Sequence, residues 1–446
     1  MKARLYVVLS VVVALTMALS ACSSGATATP TTAPAAAATT APTTAATTAA
    51  ATTAPTTAAT TAATKAATAA ATTAATKAAT VAATTAATAA ATTAATPGAV
   101  QSILPDMKPD ASATGKIALL LPETKTTRYE TADKPYFEER LKVLCPQCTL
   151  IYSNANQDAN TQLTQAEAAL TNGAQVLVLD PVDSASAGAI ADKAKAQGVP
   201  VIAYDRLILN SANVNFYISF DNQKVGVLQA QSLVDALTKA GVATPQIVMI
   251  NGSPTDNNAS LFKAGAHSVF DPLQTAGKLK IAKEYDTPDW SPDKAQTEMT
   301  QALTALSNKV DGVYAANDGT ASGAIAAMKS AGVSPIPPVT GQDAELAAIQ
   351  RILAGEQYMT VYKAIKPEAY SAAELAVGLL TKQDLTAATK GAVVNNKKMD
   401  VPSVLLVPIA VTKDNVKTTV VADNFWTVDK ICTTDYAAAC KAAGLQ

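Results

Sequence analysis

The stretch ANTQLTQAEAALTNGAQVLVL, residues 159–179, carries two periodicities side by side. Over Ala159–Asn172, Leu163, Ala166 and Leu170 fall at helical spacing with polar Gln and Glu on the other face, and Gly173 supplies a stop. Val176–Leu179 then runs apolar without alternation, the pattern of a strand covered by helices on both faces in a parallel sheet. A helix followed by such a strand is the middle of a βα repeat.

The same alternation extends in both directions. Strands are predicted at 116–121, 149–152, 176–179, 201–204, 216–219, 247–250, 280–285, 312–315, 338–341, 359–362 and 403–407, with helical patterns between most of them. The folded part, from about Gly115 onward, is long enough for two units, so the predicted class is α/β with two doubly wound parallel-sheet lobes joined by a hinge. The expected N-terminal lobe is 115–220, completed by about 358–400. The expected C-terminal lobe is 221–357, completed by about 401–425, with a tail at 426–446.

Ahead of this lies a different composition. Lys2 and Arg4 precede an apolar run from Leu5 to Leu19, which meets Leu19-Ser20-Ala21-Cys22. The run is shorter than the roughly 20 residues that a membrane span needs, and it resembles a bacterial lipoprotein signal. That resemblance implies cleavage of residues 1–21, acylation of Cys22 and a membrane tether outside the cytoplasm. Residues 22–114 form an expected stalk, collapsing to Ala and Thr from Ser23 to about Thr96 with nothing to build a core from. A flexible chain of that length averages on the order of 50 Å end to end, and dense Thr with Pro also permits O-glycosylation.

Formal net charge is -1 with no basic run, which argues against nucleic acid and anionic lipid head groups as partners. Five cysteines are present. With Cys22 assigned to lipid, Cys145/Cys148 and Cys432/Cys440 remain as close pairs, expected to oxidise to local disulfides outside the cytoplasm. A redox-active pair or a shared zinc site are the sharper alternatives. Against the first, Cys145-Pro146-Gln147-Cys148 lies between a predicted helix and strand, away from the helix N-terminus that would stabilise thiolate.

Six polar segments sit where predicted strands end: Lys125-Thr126-Thr127-Arg128-Tyr129, Tyr204-Asp205-Arg206, Asp256-Asn257-Asn258, Asn317-Asp318, Gln342-Asp343 and Tyr362-Lys363. In open parallel sheets ligands bind at that edge. Carboxylates, amides and guanidinium groups gathered in one crevice hold hydroxyls by paired hydrogen bonds, and no nucleophile or acid/base dyad accompanies them. The pattern points to carbohydrate binding without turnover, with no cofactor or metal.

Further motifs fall in a fixed order: Val201–Ile208 (VIAYDRLI), Ser219-Phe220-Asp221-Asn222, Gly252-Ser253-Pro254, Thr340–Ala344 (TGQDA), Thr360-Val361-Tyr362-Lys363 and Val401–Leu406 (VPSVLL). With them, Lys116 to about Val421 resembles the D-xylose-binding proteins of bacterial ABC sugar transporters, within the type I periplasmic-binding-protein fold. The resemblance implies a lobe-closing receptor that hands a monosaccharide to an ABC permease and its ATPase, acting as a monomer. It implies sugar contacts from Asp205 and Arg206, from Arg128 with Lys125, from Asp256, Asn258, Asn317 and Asp343, and from Lys363 near the hinge. Trp290 matches an aromatic lying against the sugar ring. Tyr129 departs from the family's usual Trp, which touches sugar identity more than sugar binding.

Blander readings stand beside these. Asp256 and Asp343 match helix N-caps, Asp221 matches a cap or hinge bond, Asp205-Arg206 an internal ion pair, Trp290 a core or surface aromatic and Lys363 a solvated strand end. His267, the single histidine, reads as a bystander. Three rival functions differ in output. A glycoside hydrolase would use Asp205 and Asp256, but partners such as Arg206 are expected to keep both ionised. A sensor would present the same closed form to a chemoreceptor or kinase. A DNA-binding repressor of similar fold is excluded by the signal and stalk ahead of the core.

Overall fold

The structure is a computed structural model that describes residues 103–104 and 107–445. The expected signal at 1–21, Cys22 with its expected acylation, and nearly all of the expected stalk at 22–114 lie outside the described residues.

Val176–Leu179 is fully buried, as its unbroken apolar run requires, between two other parallel strands. The first lobe opens with β1 (Thr114–Leu121), α1 (Lys134–Leu144), β2 (Gln147–Asn154), α2 (Ala159–Thr171) and β3 (Val176–Leu179). It continues with α3 (Gly188–Ala196), β4 (Val201–Tyr204) and β5 (Phe216–Phe220). Asp158 caps α2 by accepting from Thr161 N, and Gly173, at φ 81°, turns the chain out of it toward β3. Separate apolar layers cover the two faces of this sheet. Leu119, Val178 and Ile202 pack on one side, and Leu120, Leu177 and Leu179 on the other. Each such side chain contributes roughly 1.5–3 kcal/mol by leaving water.

The second lobe follows with α4 (Asn222–Lys239), β6 (Gln246–Asn251), α5 (Asn257–Thr275), β7 (Lys280–Asp286) and α6 (Pro292–Ala305). Next come β8 (Gly312–Ala315), α7 (Asp318–Ser330), α8 (Leu346–Ala354) and β9 (Met359–Tyr362). Helices α4 and α5 cross closely at Gly226, where a Cβ would lie 1.9 Å from the carbonyl oxygen of Phe262. The chain then returns to the first lobe through α9 (Ile365–Leu380), β10 (Val393–Asn395) and β11 (Asp400–Leu406). It ends in the second lobe with β12 (Ile409–Thr412), α10 (Val428–Ile431) and α11 (Ala437–Ala442).

The first sheet has the order β10-β11-β5-β4-β3-β1-β2, parallel except for the β10–β11 edge. The second runs β7-β6-β8, and bridges from Val313 to Val339 and from Gln342 to Val361 carry it on to the antiparallel pair β9–β12. Two doubly wound sheets joined by chain crossings are therefore present, with antiparallel edges added.

The lobe boundaries differ from the expected ones. Met359–Tyr362 pairs inside the second sheet and Ser403–Leu406 pairs with β5 in the first. The first lobe is thus completed by 365–406 rather than 358–400, and the second resumes at Ile409 rather than 401. The physical reason is that the chain crosses at strand C-termini, so each strand belongs to the lobe it leaves. Residues 338–341 hold a single bridge, at Val339, rather than a regular strand, with a second bridge following at Gln342, since Pro337 and Pro338 lack the N–H that a ladder needs. Residues 426–445 are no loose tail. Ile431, Cys440 and Leu445 are buried with Ile349, Ile352 and Leu353 of α8. Both expected disulfides are formed, Cys145–Cys148 and Cys432–Cys440, with Cα–Cα separations of 5.3 and 5.8 Å, which removes the shared zinc site.

Candidate functional site

Each polar segment begins where a buried strand releases the chain at its C-terminal end. Asp205 follows β4 directly, Lys363 follows β9, and Asn317 comes two residues after β8. Asp205 sits at φ 52° and Asp343 at φ 90°, left-handed conformations uncommon for residues other than glycine, which aim both carboxylates across the strand ends. Between the lobes they help to line a small, tightly closed chamber with Arg128, Tyr129, Arg206, Asp256, Asn258, Trp290, Asn317 and Lys363.

Two guanidinium groups anchor the first lobe's side. Arg128 forms a bidentate pair with Asp133 (Nε–Oδ2 2.9 Å, Nη2–Oδ1 2.6 Å), bonds Glu368 at 2.6 Å and approaches Asp205 at 3.4 Å. Arg206 lies 3.0 Å from Asp256 of the opposite lobe, with Asp180 and Glu123 behind it at 3.6 and 3.7 Å. Tyr129 links the two, its hydroxyl donating to Asp205 at 3.0 Å and accepting from Arg206 at 3.1 Å. From the second lobe, Lys363 Nζ reaches Asp343 at 3.1 Å and Asp205 at 3.6 Å. The lobes are closed on one another.

The electrostatics follow from burial and these partners. Burial opposes ionisation of Asp205, but Arg128, Lys363 and Arg206 outweigh it and hold the carboxyl well below its usual range. Burial likewise opposes the charge on Lys363, yet Asp205 and Asp343 raise its pKa. At Asp256 burial wins over Arg206 and moves the carboxyl upward, contrary to the expectation that Arg206 would keep it ionised in the ordinary range. Desolvation also pushes Asp180 and Glu368 well up, against the pull of Arg206 and Arg128 respectively. Among the described residues no cluster is arranged to hold a metal.

Several bland readings coexist with a place in the chamber. Asp256 does cap α5, accepting from Asn258 N at 2.8 Å, while its other oxygen accepts from Trp290 Nε1 at 3.1 Å. Asn317 caps α7 in a capping box with Thr320. Asp221 caps α4 and stays outside. Trp290 is buried, edge-on to Phe262 at 6.2 Å, its ring lying against Gly252 so closely that a Cβ there would come within 2.0 Å. Other bland readings fail. Asp343 caps no helix, Lys363 is only 3% exposed, and Asp205 and Arg206 bridge other partners rather than each other. His267 pairs with Asp271 and Glu284 away from the chamber.

Lys125 is the one candidate not brought in; it is exposed outside the chamber, because Glu123 turns the loop by accepting from the backbone N–H groups of Lys125 and Thr126. Conversely, Thr126, Gln342 and Phe262 line the chamber without having been candidates. Thr126 and Gln342 lie within the strand-end segments, but Phe262 sits inside α5 and carries no local signal. Behind the guanidinium groups, Glu123 and Asp180 were findable as carboxylates following β1 and β3. Asp133 and Glu368 lie in helical stretches and were not.

Residues 117–384 match the periplasmic binding protein domain, more than half of the chain. The D-xylose-binding periplasmic protein of Escherichia coli K12 is 42% identical over 310 residues, covering 70% of this chain and 90% of that protein. Its namesake in Haemophilus influenzae is 41% identical over 316 residues, covering 71% and 92%. A crystal structure of an ABC transporter solute-binding protein from Clostridium phytofermentans with bound β-D-glucose superposes with a TM-score of 0.64 at 30% identity, covering 71% of this chain and 99% of that one. With two lobes, crossing segments and a closed interlobe chamber in place, the chain belongs to the periplasmic binding protein family and has its type I fold.

Proposed function

We propose that this protein is the extracytoplasmic receptor of an ABC transporter for a neutral monosaccharide, with D-xylose as the first candidate. The observation that carries the reading is the meeting of Asp205 and Arg206 from one lobe with Asp256, Asp343 and Lys363 from the other around a single small chamber. Carboxylates accept from sugar hydroxyls and guanidinium groups donate to them, so neighbouring hydroxyls are clamped in pairs. Trp290 offers an indole face to the apolar hydrogens of a pyranose. The cations in the chamber already have carboxylate partners, which favours a ligand without charge. The xylose-binding relatives support the sugar class, and the glucose-bound neighbour keeps hexoses in the panel.

Delivery to a permease, acylation of Cys22 and presentation on an Ala/Thr stalk complete the proposal, with transport energy supplied by the ATPase partner. No turnover is assigned to this chain. Asp205 is held ionised by three cations, and Asp256, though shifted upward, is tied to Arg206 and Trp290. Calorimetric titration against pentoses and hexoses tests the reading: saturable one-to-one binding of at least one of them, D-xylose first, is expected. Silence across the panel by folded protein contradicts it, and release of reducing ends from xylosides would favour a hydrolase.

A further inference from the structure

The function proposed above leaves one feature unused: the segment after β12, closed by the Cys432–Cys440 disulfide and packed on α8. It touches the backbone that carries two chamber residues. Asp343 and Ala344 occupy consecutive left-handed conformations, at φ 90° and 50°, which persist only where the surroundings fix them. The lobe itself supplies three bonds. Asp343 N donates to Val361 O at 2.9 Å, Ala344 N to Thr360 Oγ1 at 3.2 Å, and Glu345 N to Asp318 Oδ2 at 2.9 Å. The fourth comes from the C-terminal segment, where Trp426 Nε1 donates to the carbonyl oxygen of Ala344 at 2.8 Å. Beside it, the Phe425 ring lies 5.3 Å from that of Tyr362, the residue before Lys363. Gln350 Nε2 of α8 reaches the carbonyl oxygens of Lys430 and Ile431 at 3.3 and 3.2 Å, holding the stapled part against the same lobe.

We propose that this C-terminal segment is a positioning element for the binding site, with Trp426 and Phe425 setting the backbone from which Asp343 and Lys363 meet at 3.1 Å. Neither aromatic lines the chamber, so both act through the residues they hold. The inference rests on the reading of that chamber as a sugar site. It differs from a general stabilising role because its effect is routed through Asp343. Removing the indole N–H lets the Ala344 carbonyl turn, and the Asp343 carboxylate shifts against its ligand hydroxyl.

A double-mutant cycle tests this with the full-length protein and the monosaccharide that wild type binds in the calorimetric panel. Trp426→Phe keeps an aromatic ring and removes the donor. It is expected to lower affinity about tenfold in the wild-type background and about tenfold in Arg206→Lys, where the altered contact lies on the other lobe. In Asp343→Asn the further loss is expected to be under twofold, because the group being positioned is already compromised. Equal losses in the Arg206→Lys and Asp343→Asn backgrounds, or no loss in wild type, would overturn the inference. Should Trp426→Phe fail to fold, the pair Cys432→Ser and Cys440→Ser serves in the same cycle with the same expected pattern. Wild type that binds no monosaccharide overturns the reading of the chamber and this inference with it.

Discussion

Asp205 and Arg206 are neighbours in sequence that work outward in different directions, one toward Arg128, Tyr129 and Lys363, the other across the cleft to Asp256. Replacing either with Ala removes a charge-assisted hydrogen bond to the ligand, worth roughly 1.5–3 kcal/mol, and is expected to lower monosaccharide affinity at least tenfold. Calorimetry reads the loss, and normal affinity in both folded variants would count against their roles. Gly252 offers a separate test of the aromatic wall. A methyl group there would stand 2.0 Å from the Trp290 ring and force it to move, disturbing also the bond its Nε1 donates to Asp256. Gly252→Ala is therefore expected to weaken binding by about tenfold or more, an outcome that unchanged affinity and unchanged Trp fluorescence would rule out. Strand-end carboxylates and guanidinium groups were legible in the sequence because parallel sheets gather ligands at that edge. Lys125 misled for a local reason: a strand-end loop has residues on both sides of its turn, and Glu123 decides which side faces in. Phe262 in the chamber wall, and Asp133 and Glu368 behind Arg128, were hidden because helix packing and burial, rather than any motif, bring them into place.

The short connection from the bridging residues 338–342 into α8 joins the chamber to the cleft rim. There Glu345 accepts from Thr127 N of the opposite lobe at 3.4 Å. Burial, reinforced by the nearby charge of Asp343, pushes the Glu345 carboxyl up to about 7 from its ordinary 4.5. A carboxyl raised by folding favours the folded state while protonated. Its contribution is complete below pH 4.5 and is lost as pH rises through about 7. Wild type is accordingly expected to lose stability relative to Glu345→Gln between pH 5 and 8, by on the order of 2–3 kcal/mol. Urea unfolding at four pH values across that window reads the difference, and parallel stability curves would show that Glu345 titrates normally. Most elements were legible, since apolar runs such as Val176–Leu179 leave no alternative to a doubly covered strand. Two short strands were not. Val393–Asn395 and Ile409–Thr412 pair antiparallel at sheet edges, with partly exposed residues, so neither burial nor length marks them.

Two lobes could be inferred from length and repeating pattern, but where the chain crosses between them could not. Hydrophobicity is the same on either side of a crossing, and only pairing reveals that β9 belongs to one sheet and β11 to the other. Closure brings together contacts beyond the chamber. Ser184 N donates to Thr255 O at 3.0 Å, Thr255 Oγ1 to Val182 O at 3.2 Å, and Asn257 N to Ser184 Oγ at 3.1 Å. These join the lobes only when they are shut. Ser184→Ala removes one of them and is expected to speed ligand release by about two- to tenfold, corresponding to roughly 0.5–1.5 kcal/mol, with little change in association. Stopped-flow displacement separates the two rates, and a slower association with unchanged release would assign Ser184 another role. The central claim is that both lobes grip one neutral sugar in a shared chamber. A crystal structure grown with D-xylose, or with whichever monosaccharide the titrations select, tests it most directly. The ring is predicted to lie against Trp290, with hydroxyls bonded to Asp205 and Arg206 on one side and to Asp256, Asp343 or Lys363 on the other; sugar bound to a single lobe, or elsewhere on the surface with the chamber unfilled, would contradict it.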